Sequence, residues 1–581
     1  MKKIYNKISS LELLNKTKQA IFHFSKTEWK IFLILLLTLV GSTIALLVNI
    51  NNSFLVSVPK RGGEIKEGII GSPRFINPVL ANTDQDKDLT MLVYSGLTRK
   101  NANGEIIPDL ASNYQISNDG LKYTFTMRDN IYFHDGEKVT ADDIVFTINK
   151  IKDPEVRSPK KSAWDGVGVE KVDDKTIIFN LKQPYASFID NTTVGILPEH
   201  LFTNSPIELS PLNENPIGSG PYKVSKLKKT SSGTASYYEL KSFSKFVLGE
   251  PYINKITLKF YDNEDELIDA LLSGDIDQVS SISPENADLI KSKGIKLETT
   301  ILPRIFALFF NQNQNQIFTD KSVLRAINMA IDKDRIVREV LLGYGVAIED
   351  PILPDNFSYQ TLEQKKNITH EENLKNASEI LAKNNWTKNA EGFLTKTVTE
   401  NSKKVNKILE FSISTSNAPE LAKTAELIKN DLESIGIKVE IKTFDIGNLN
   451  QIVIRPRKYD ALLFGQIVKN EGDLFAFWHS SQRNDPGLNI AMYTNAKVDK
   501  ILEDAFKTTN EKDRLKKYAQ FGEEIKKDIP AVFIYSPNFI YAVSKDLEGF
   551  DTSNIVNLEE RFAEVYDWRV QTEKVWKIFA K

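Results

Sequence analysis

The sequence predicts an α/β protein of several lobes, held outside a membrane by one N-terminal helix. Three observations lead there. At 581 residues, 41% of them hydrophobic and 26% charged, the chain exceeds what a single hydrophobic core fills. Residues 409–444 read as strand, helix, strand. Residues 31–59 carry no charge at all.

In chain order, residues 1–30 come first, a basic segment with seven lysines against Glu12 and Glu28. Its net charge is +5, which leaves −7 for the rest of a chain whose total is −2. The next twenty residues, 31–50 (IFLILLLTLVGSTIALLVNI), are long enough for a helix to cross the hydrocarbon layer. Lysines before the run and none just after it predict a cytoplasmic N-terminus and an external body. A cleaved secretory signal is the competing reading, but about 30 residues before the apolar run is long for one. Residues 51–60 are polar and proline-terminated, and are expected to form a linker to a body that starts near Arg61.

In the body, Tyr123, Phe125 and Met127 alternate on one face of a strand. Thr140 followed by Asp143 is a capping-box pattern opening a helix whose Ile144, Ile148 and Ile151 share a face. The tract IFTDKSVLRAINMAIDKDRIVREVLLG predicts two consecutive helices, the first burying Val323, Ile327, Ala330 and Ile331. The β-α-β unit follows. ILEFSI alternates, Pro419 opens a helix with Leu421, Ala425, Ile428 and Leu432 at helical spacing, Gly436 stops it, and IKVEIKTF alternates again.

Composition excludes several functions. With 75 basic and 77 acidic residues and pI ≈ 6.3, the chain offers no field for nucleic acid. With no cysteine, it has neither a thiolate metal site, nor a cysteine nucleophile, nor a lipid-modified N-terminal cysteine. Phosphate-binding, dinucleotide, zinc-protease and serine-hydrolase motifs are missing, and the five histidines stand apart. The chain is therefore expected not to be an enzyme and to need no cofactor or metal.

Residues 92–148 carry a "GL" after Tyr94, "PDLA" at Pro108–Ala111, "YTFTMR" at Tyr123–Arg128, "FHDG" at Phe133–Gly136 and "TADD" at Thr140–Asp143. Farther on stand ILPEHL at 196–201, IGSGPYKV at 217–224, LLSGDID at 271–277, FWHSSQ at 477–482 and IPAVFIYSP at 529–537. In order and spacing these resemble the extracellular solute-binding proteins of family 5, which serve peptide and nickel ABC importers. The resemblance covers about residues 61–544. It implies a two-lobed periplasmic-binding-protein-like fold (type II, cluster C) with an extra domain, a solute trapped between the lobes, and ABC permease subunits as partners. The implied division is lobe I at 61–93, 222–305 and 540–581, the extra domain at 94–221, and lobe II at 306–539. Gly218, Gly220 and Pro221 make a compact crossing that can serve as a hinge.

By the same resemblance, Ser72–Leu80 and Tyr459–Ser480 line the cleft, nominating Phe75, Asn77, Arg304, Phe464, Gly465, Gln466 and Trp478 as ligand contacts. For each aromatic the competing role is core packing. Peptide-binding relatives place an aspartate shortly after the glycine of the second segment, where Lys469 or Asn470 stands here; Glu471 or Asp473 can take its place if the loop shifts. An external receptor or sensor on the same fold is the alternative function, disfavoured by the short cytoplasmic segment.

Overall fold

The structure is a computed structural model that describes residues 25–185, 187–202, 206–352, 369–400, 403–468, 472–508 and 510–579. It divides into two compact units. One comprises the N-terminal residues to Lys60 together with Gln571–Lys581, and the other is Arg61–Val570.

In the first unit the apolar run forms a helix, Lys26–Phe54, opened by a Ser25/Glu28 capping box and with no buried side chain. The expected linker is not a free tether. Residues 51–54 complete the helix, and Leu55–Pro59 is a strand paired antiparallel with Thr572–Trp576. Residues 571–581 thus leave lobe I, where the resemblance put them, and join the N-terminal unit.

The second unit is organised by one 12-stranded sheet. Its lobe I part runs Tyr222–Lys229, Ala235–Ser242, Lys255–Tyr261, Glu64–Ile70 and Gln278–Ser280. Its lobe II part runs Lys438–Phe444, Glu410–Ser416, Ala461–Ile467 and Arg304–Phe310. One long strand, Ala531–Val543, belongs to both. Its first half pairs with Arg304–Phe310 and Gly345–Ala347, and its second half with Lys296–Ile301 and Gln278–Ser280.

The β-α-β reading holds: Glu410–Ser416 and Lys438–Phe444 are parallel neighbours joined by the helix Pro419–Ser434. Strand Arg304–Phe310 is buried on both faces, as an interior strand beneath helices must be. Leu308 and Phe310 enter one core with Phe411 and Ile413; Ile305, Ala307 and Phe309 enter the other with Leu462 and Phe533. The paired helices Lys321–Ala330 and Lys333–Val340 cover the first of these cores.

The extra domain has its own antiparallel sheet, ordered Ala111–Ile116, Lys122–Met127, Thr176–Asn180 and Gly168–Lys171. Tyr123, Phe125 and Met127 are buried, as is the Ile144, Ile148 and Ile151 face of the helix Ala141–Lys152. Two sequence landmarks join within this domain, and the second of them then meets lobe I. His134 Nδ1 accepts from the Gly218 N–H (3.3 Å), and its Nε2–H donates to the Gly220 carbonyl (3.1 Å). Gly220 N–H in turn donates to Val93 O at 2.8 Å. A Cβ on Gly218 would stand 2.2 Å from Val93 O, and one on Gly220 2.5 Å from Val93 C, so only glycine fits this crossing. The expected hinge at Gly218–Pro221 is therefore a clamp. Close backbone contact with Val93 fixes it.

Candidate functional site: the interlobe cleft

Two strands cross between the lobes, and a proline interrupts each at the same level. Lys296–Ile301 becomes Arg304–Phe310 through Leu302–Pro303, and the long strand changes partners around Ser536–Pro537. Leu302 N–H donates to Pro537 O (2.9 Å), and Ser536 Oγ–H donates to Leu302 O (2.5 Å). Proline lacks the N–H that a ladder requires, so each sheet half is continuous while the junction is held by few bonds. Such a junction can serve as a pivot.

On the lobe I side, the loop after Glu64–Ile70 wraps a buried carboxylate. Asp86 Oδ1 accepts from Arg74 N–H (2.7 Å) and Phe75 N–H (2.8 Å), fixing the loop against the start of the helix Asp84–Val93. Phe75 is half-buried, with the Arg74 guanidinium 5.5 Å from its ring centroid. Asn77 is 0% exposed; it donates to Asn213 Oδ1 (3.0 Å) and accepts from Val79 N–H (2.9 Å). These bonds account for it as a brace of the loop.

On the lobe II side, Arg304 lies opposite Ile467, Phe306 opposite Gly465 and Ala307 opposite Phe464. The register therefore splits the nominated residues: Arg304 and Gly465 share the face of Phe306, while Gln466 and Phe464 share the opposite face with Ile305 and Ala307, where Phe464 packs against the second lobe II core. Gly465 has no side chain because the Phe306 ring takes the space: a Cβ there would meet it at 2.8 Å. Phe306 stacks on Tyr535, centroids 4.9 Å apart. Gln466 is 8% exposed, and its amide reaches Leu488 O only at 3.5 Å. Trp478 does not join them. At 1% exposure it packs on Phe309, Tyr493, Phe521 and Phe533 in the lobe II core, the competing role for an aromatic here.

Electrostatics ties the two sides together. Burial draws the Arg304 guanidinium below its usual pKa, while Asp84 and Glu559 of lobe I oppose that shift, and its buried Nε has no hydrogen-bond partner. Burial raises the Glu559 carboxyl, which also feels Glu560 and Asp84. Burial likewise raises Asp190 of the extra domain, with Glu560 and Asp473 of lobe II adding to the effect and Lys100 opposing it. Tyr185 is pushed up to about 12, mainly by burial and further by Asp190 and Asp473. The Tyr185 ring stacks on Phe506 of lobe II at 5.2 Å and 12°. Lobe II and the extra domain therefore meet through an aromatic contact flanked by carboxylates.

A cavity of about 240 Å³ between lobe I and the extra domain, with no lobe II residue in its lining, holds Asp190, Glu559 and Glu560 of this electrostatic set. A larger open depression of about 760 Å³, lined by Arg128, Asp129, Lys175 and Lys245, holds none of the pivot residues. Sequence reasoning missed Tyr185, Asp190, Phe506, Glu559 and Glu560, which have no local signature and meet only through the fold. Lys469, Asn470 and Glu471 lie outside the described residues. Among the described residues no three His, Cys, Asp or Glu side chains come together as a metal site.

Two α/β lobes joined by a paired-strand junction, with an extra domain clamped to one of them, give the architecture of a solute-binding protein. Residues 105–487 match the family described as bacterial extracellular solute-binding proteins, family 5 Middle, and the chain belongs to that family. It is 29% identical over 505 residues to the oligopeptide-binding protein AppA of Bacillus subtilis, covering 85% of this chain and 89% of that one. A crystal structure of that AppA in complex with a nonapeptide superposes with TM-score 0.66 at 28% identity, covering 88% of this chain and all of that one. The nickel–histidine complex of NikZ from Campylobacter jejuni superposes with TM-score 0.67 at 28% identity, covering 87% of this chain and 99% of that one. These relatives are binding proteins rather than enzymes.

Proposed function

We propose that this chain is the membrane-anchored, external binding component of an ABC importer, capturing peptides or a related small solute by lobe closure and presenting it to the permease. The observation that carries this reading is the pivot at Leu302–Pro303 and Ser536–Pro537, with binding chemistry on both sides of it. Closure about such a pivot removes water from the gap and strengthens every polar contact made there.

The charge pattern favours a zwitterionic guest. Asp190, Asp473, Glu559 and Glu560 supply a carboxylate-rich end suited to an ammonium, and Arg304, buried and underbonded, supplies a counter-charge for a carboxylate. Asp473 takes the ammonium role that the resemblance leaves without an obvious residue. Phe75 and Phe464 form apolar walls, the Gly465 and Gln466 backbone offers extended hydrogen bonding, and Asn77 and Trp478 hold the walls in place. The AppA likeness supports a peptide guest. The helix Lys26–Phe54, preceded by a lysine-rich segment, serves as an uncleaved anchor with a cytoplasmic N-terminus.

The test is calorimetry on the full chain in detergent with short peptides bearing free or acetylated N-termini. Asp473→Asn should weaken free-N-terminus peptides by about ten- to a hundredfold, the value of one charge-assisted hydrogen bond, and leave acetylated peptides unchanged. Equal losses for both remove the assigned role of Asp473. Failure of the wild-type chain to bind any peptide refutes peptide capture.

A further inference from the structure

The C-terminal strand lies against the outer end of the membrane helix. Its register sets Trp576 opposite Leu55, the residue after the helix ends, and the Trp576 indole N–H donates to Asn51 Oδ1 at 2.9 Å. Asn51 is the first polar residue after the apolar twenty, Ile31–Ile50, which at about 1.5 Å per residue spans about 30 Å and matches a hydrocarbon layer. Trp576 is therefore held at the level where hydrocarbon gives way to headgroups. Its ring is 49% exposed, Ile578 is 78% exposed, and exposed lysines 574 and 577 flank them. An indole with its N–H bonded and its ring bare, beside apolar and basic side chains, suits the membrane–water boundary.

We propose that residues 571–579 form a second membrane contact, placing Trp576 and Ile578 in the outer-leaflet headgroup–acyl boundary beside the exit of the helix. Both ends of the body, at Arg61 and Val570, would then lead into the membrane interface. This inference rests on the reading that the helix stays as the anchor. The occupant is lipid: the patch is continuous with a helix whose side chains are all uncovered, and it lies at the depth that the hydrocarbon length dictates.

The absence of native cysteine allows a direct test. Ile578→Cys and Ser53→Cys variants of the full chain are each labelled with bimane and placed in nanodiscs of phosphatidylcholine and phosphatidylglycerol. Headgroup-nitroxide lipids and aqueous iodide then serve as competing quenchers. The proposal expects both labels to be quenched by the nitroxide lipid, with the Ile578 label shielded from iodide. If the Ser53 label is quenched by lipid but the Ile578 label only by iodide, the tail lies in water; the inference falls and the anchor stands. An Ile578 label reached by neither quencher is covered by protein, and that also overturns it. If neither label senses lipid and the protein is recovered without the discs, the anchor reading fails and takes the inference with it.

Discussion

Acidification should loosen the extra domain where it backs the contact with Val93 of lobe I, and His134 sets the size of the effect. Its two ring nitrogens are committed to opposite roles, Nδ1 accepting from Gly218 and Nε2–H donating to Gly220, so the bonded ring is neutral. Burial pulls its pKa from 6.5 to about 4; Lys223 acts in the same direction, while the Gly220 bond and Asp135 act against it. Between those values the unfolded chain binds a proton that the folded chain refuses, so stability rises with pH across the window. The contribution is complete above about 6.5 and lost as pH falls toward 4. At about 1.36 kcal/mol per unit the ceiling is about 3 kcal/mol, and the partial exposure of the ring brings the expected value nearer 2. Urea unfolding of wild type and His134→Gln, followed through the buried Trp164 of the extra domain, measures it. The wild-type advantage should shrink by about 2 kcal/mol between neutral and mildly acidic pH. Parallel pH profiles for the two proteins would refute the reasoning.

Three other substitutions probe the clamp, the lobe I core and the cleft. Gly220→Ala drives a methyl into the Val93 backbone and should cost about 1–3 kcal/mol, read as a lowered melting temperature. Arg561 is wholly buried, doubly bonded to Asp88 and joined to Glu67 at 2.8 Å. Arg561→Met should therefore cost about 3–5 kcal/mol, while the triple change with Glu67→Gln and Asp88→Asn recovers much of the loss in the same melt. Gly465→Ala pushes the Phe306 ring off Tyr535 and should weaken solute binding by calorimetry more than it lowers the melting temperature.

Periodicity made the local elements legible. The Glu410–Phe444 unit, the Thr140 helix and the Lys122–Met127 strand follow from spacings within a dozen residues or so, where burial on one face writes itself into the sequence. Direction was not legible at the site. Trp478 and Asn77 were nominated together with Phe464 and Gln466, yet an aromatic or amide beside a cleft has the same composition whether it turns toward solute or core, and packing decides. Partners remote in sequence were invisible for the same reason. "FHDG" and "GSG" stood as separate landmarks, but His134 and Gly218 complete each other across 84 residues. The strand Leu55–Pro59 looked like a tether because its partner stands at the opposite end of the chain.

The pivot explains why the cleft residues differ in kind. Under rotation about a line through Leu302–Pro303 and Ser536–Pro537, displacement grows with distance from that line. Arg304, the next residue after Pro303 and bonded through its N–H to Leu302 O at 2.7 Å, moves least. In this structure it feels the charges of Asp84 and Glu559. Farther from that line, Phe506 stacks on Tyr185 of the extra domain, and the Asp473 charge acts on Tyr185 and Asp190. Within this carboxylate group Lys100 already pairs with Glu560 at 3.0 Å and offsets part of the repulsion on Asp190. On the proposed function, a guest whose ammonium reaches Asp190 and Asp473 should favour the closed form, whereas one held only at Arg304 should bind without closing the lobes.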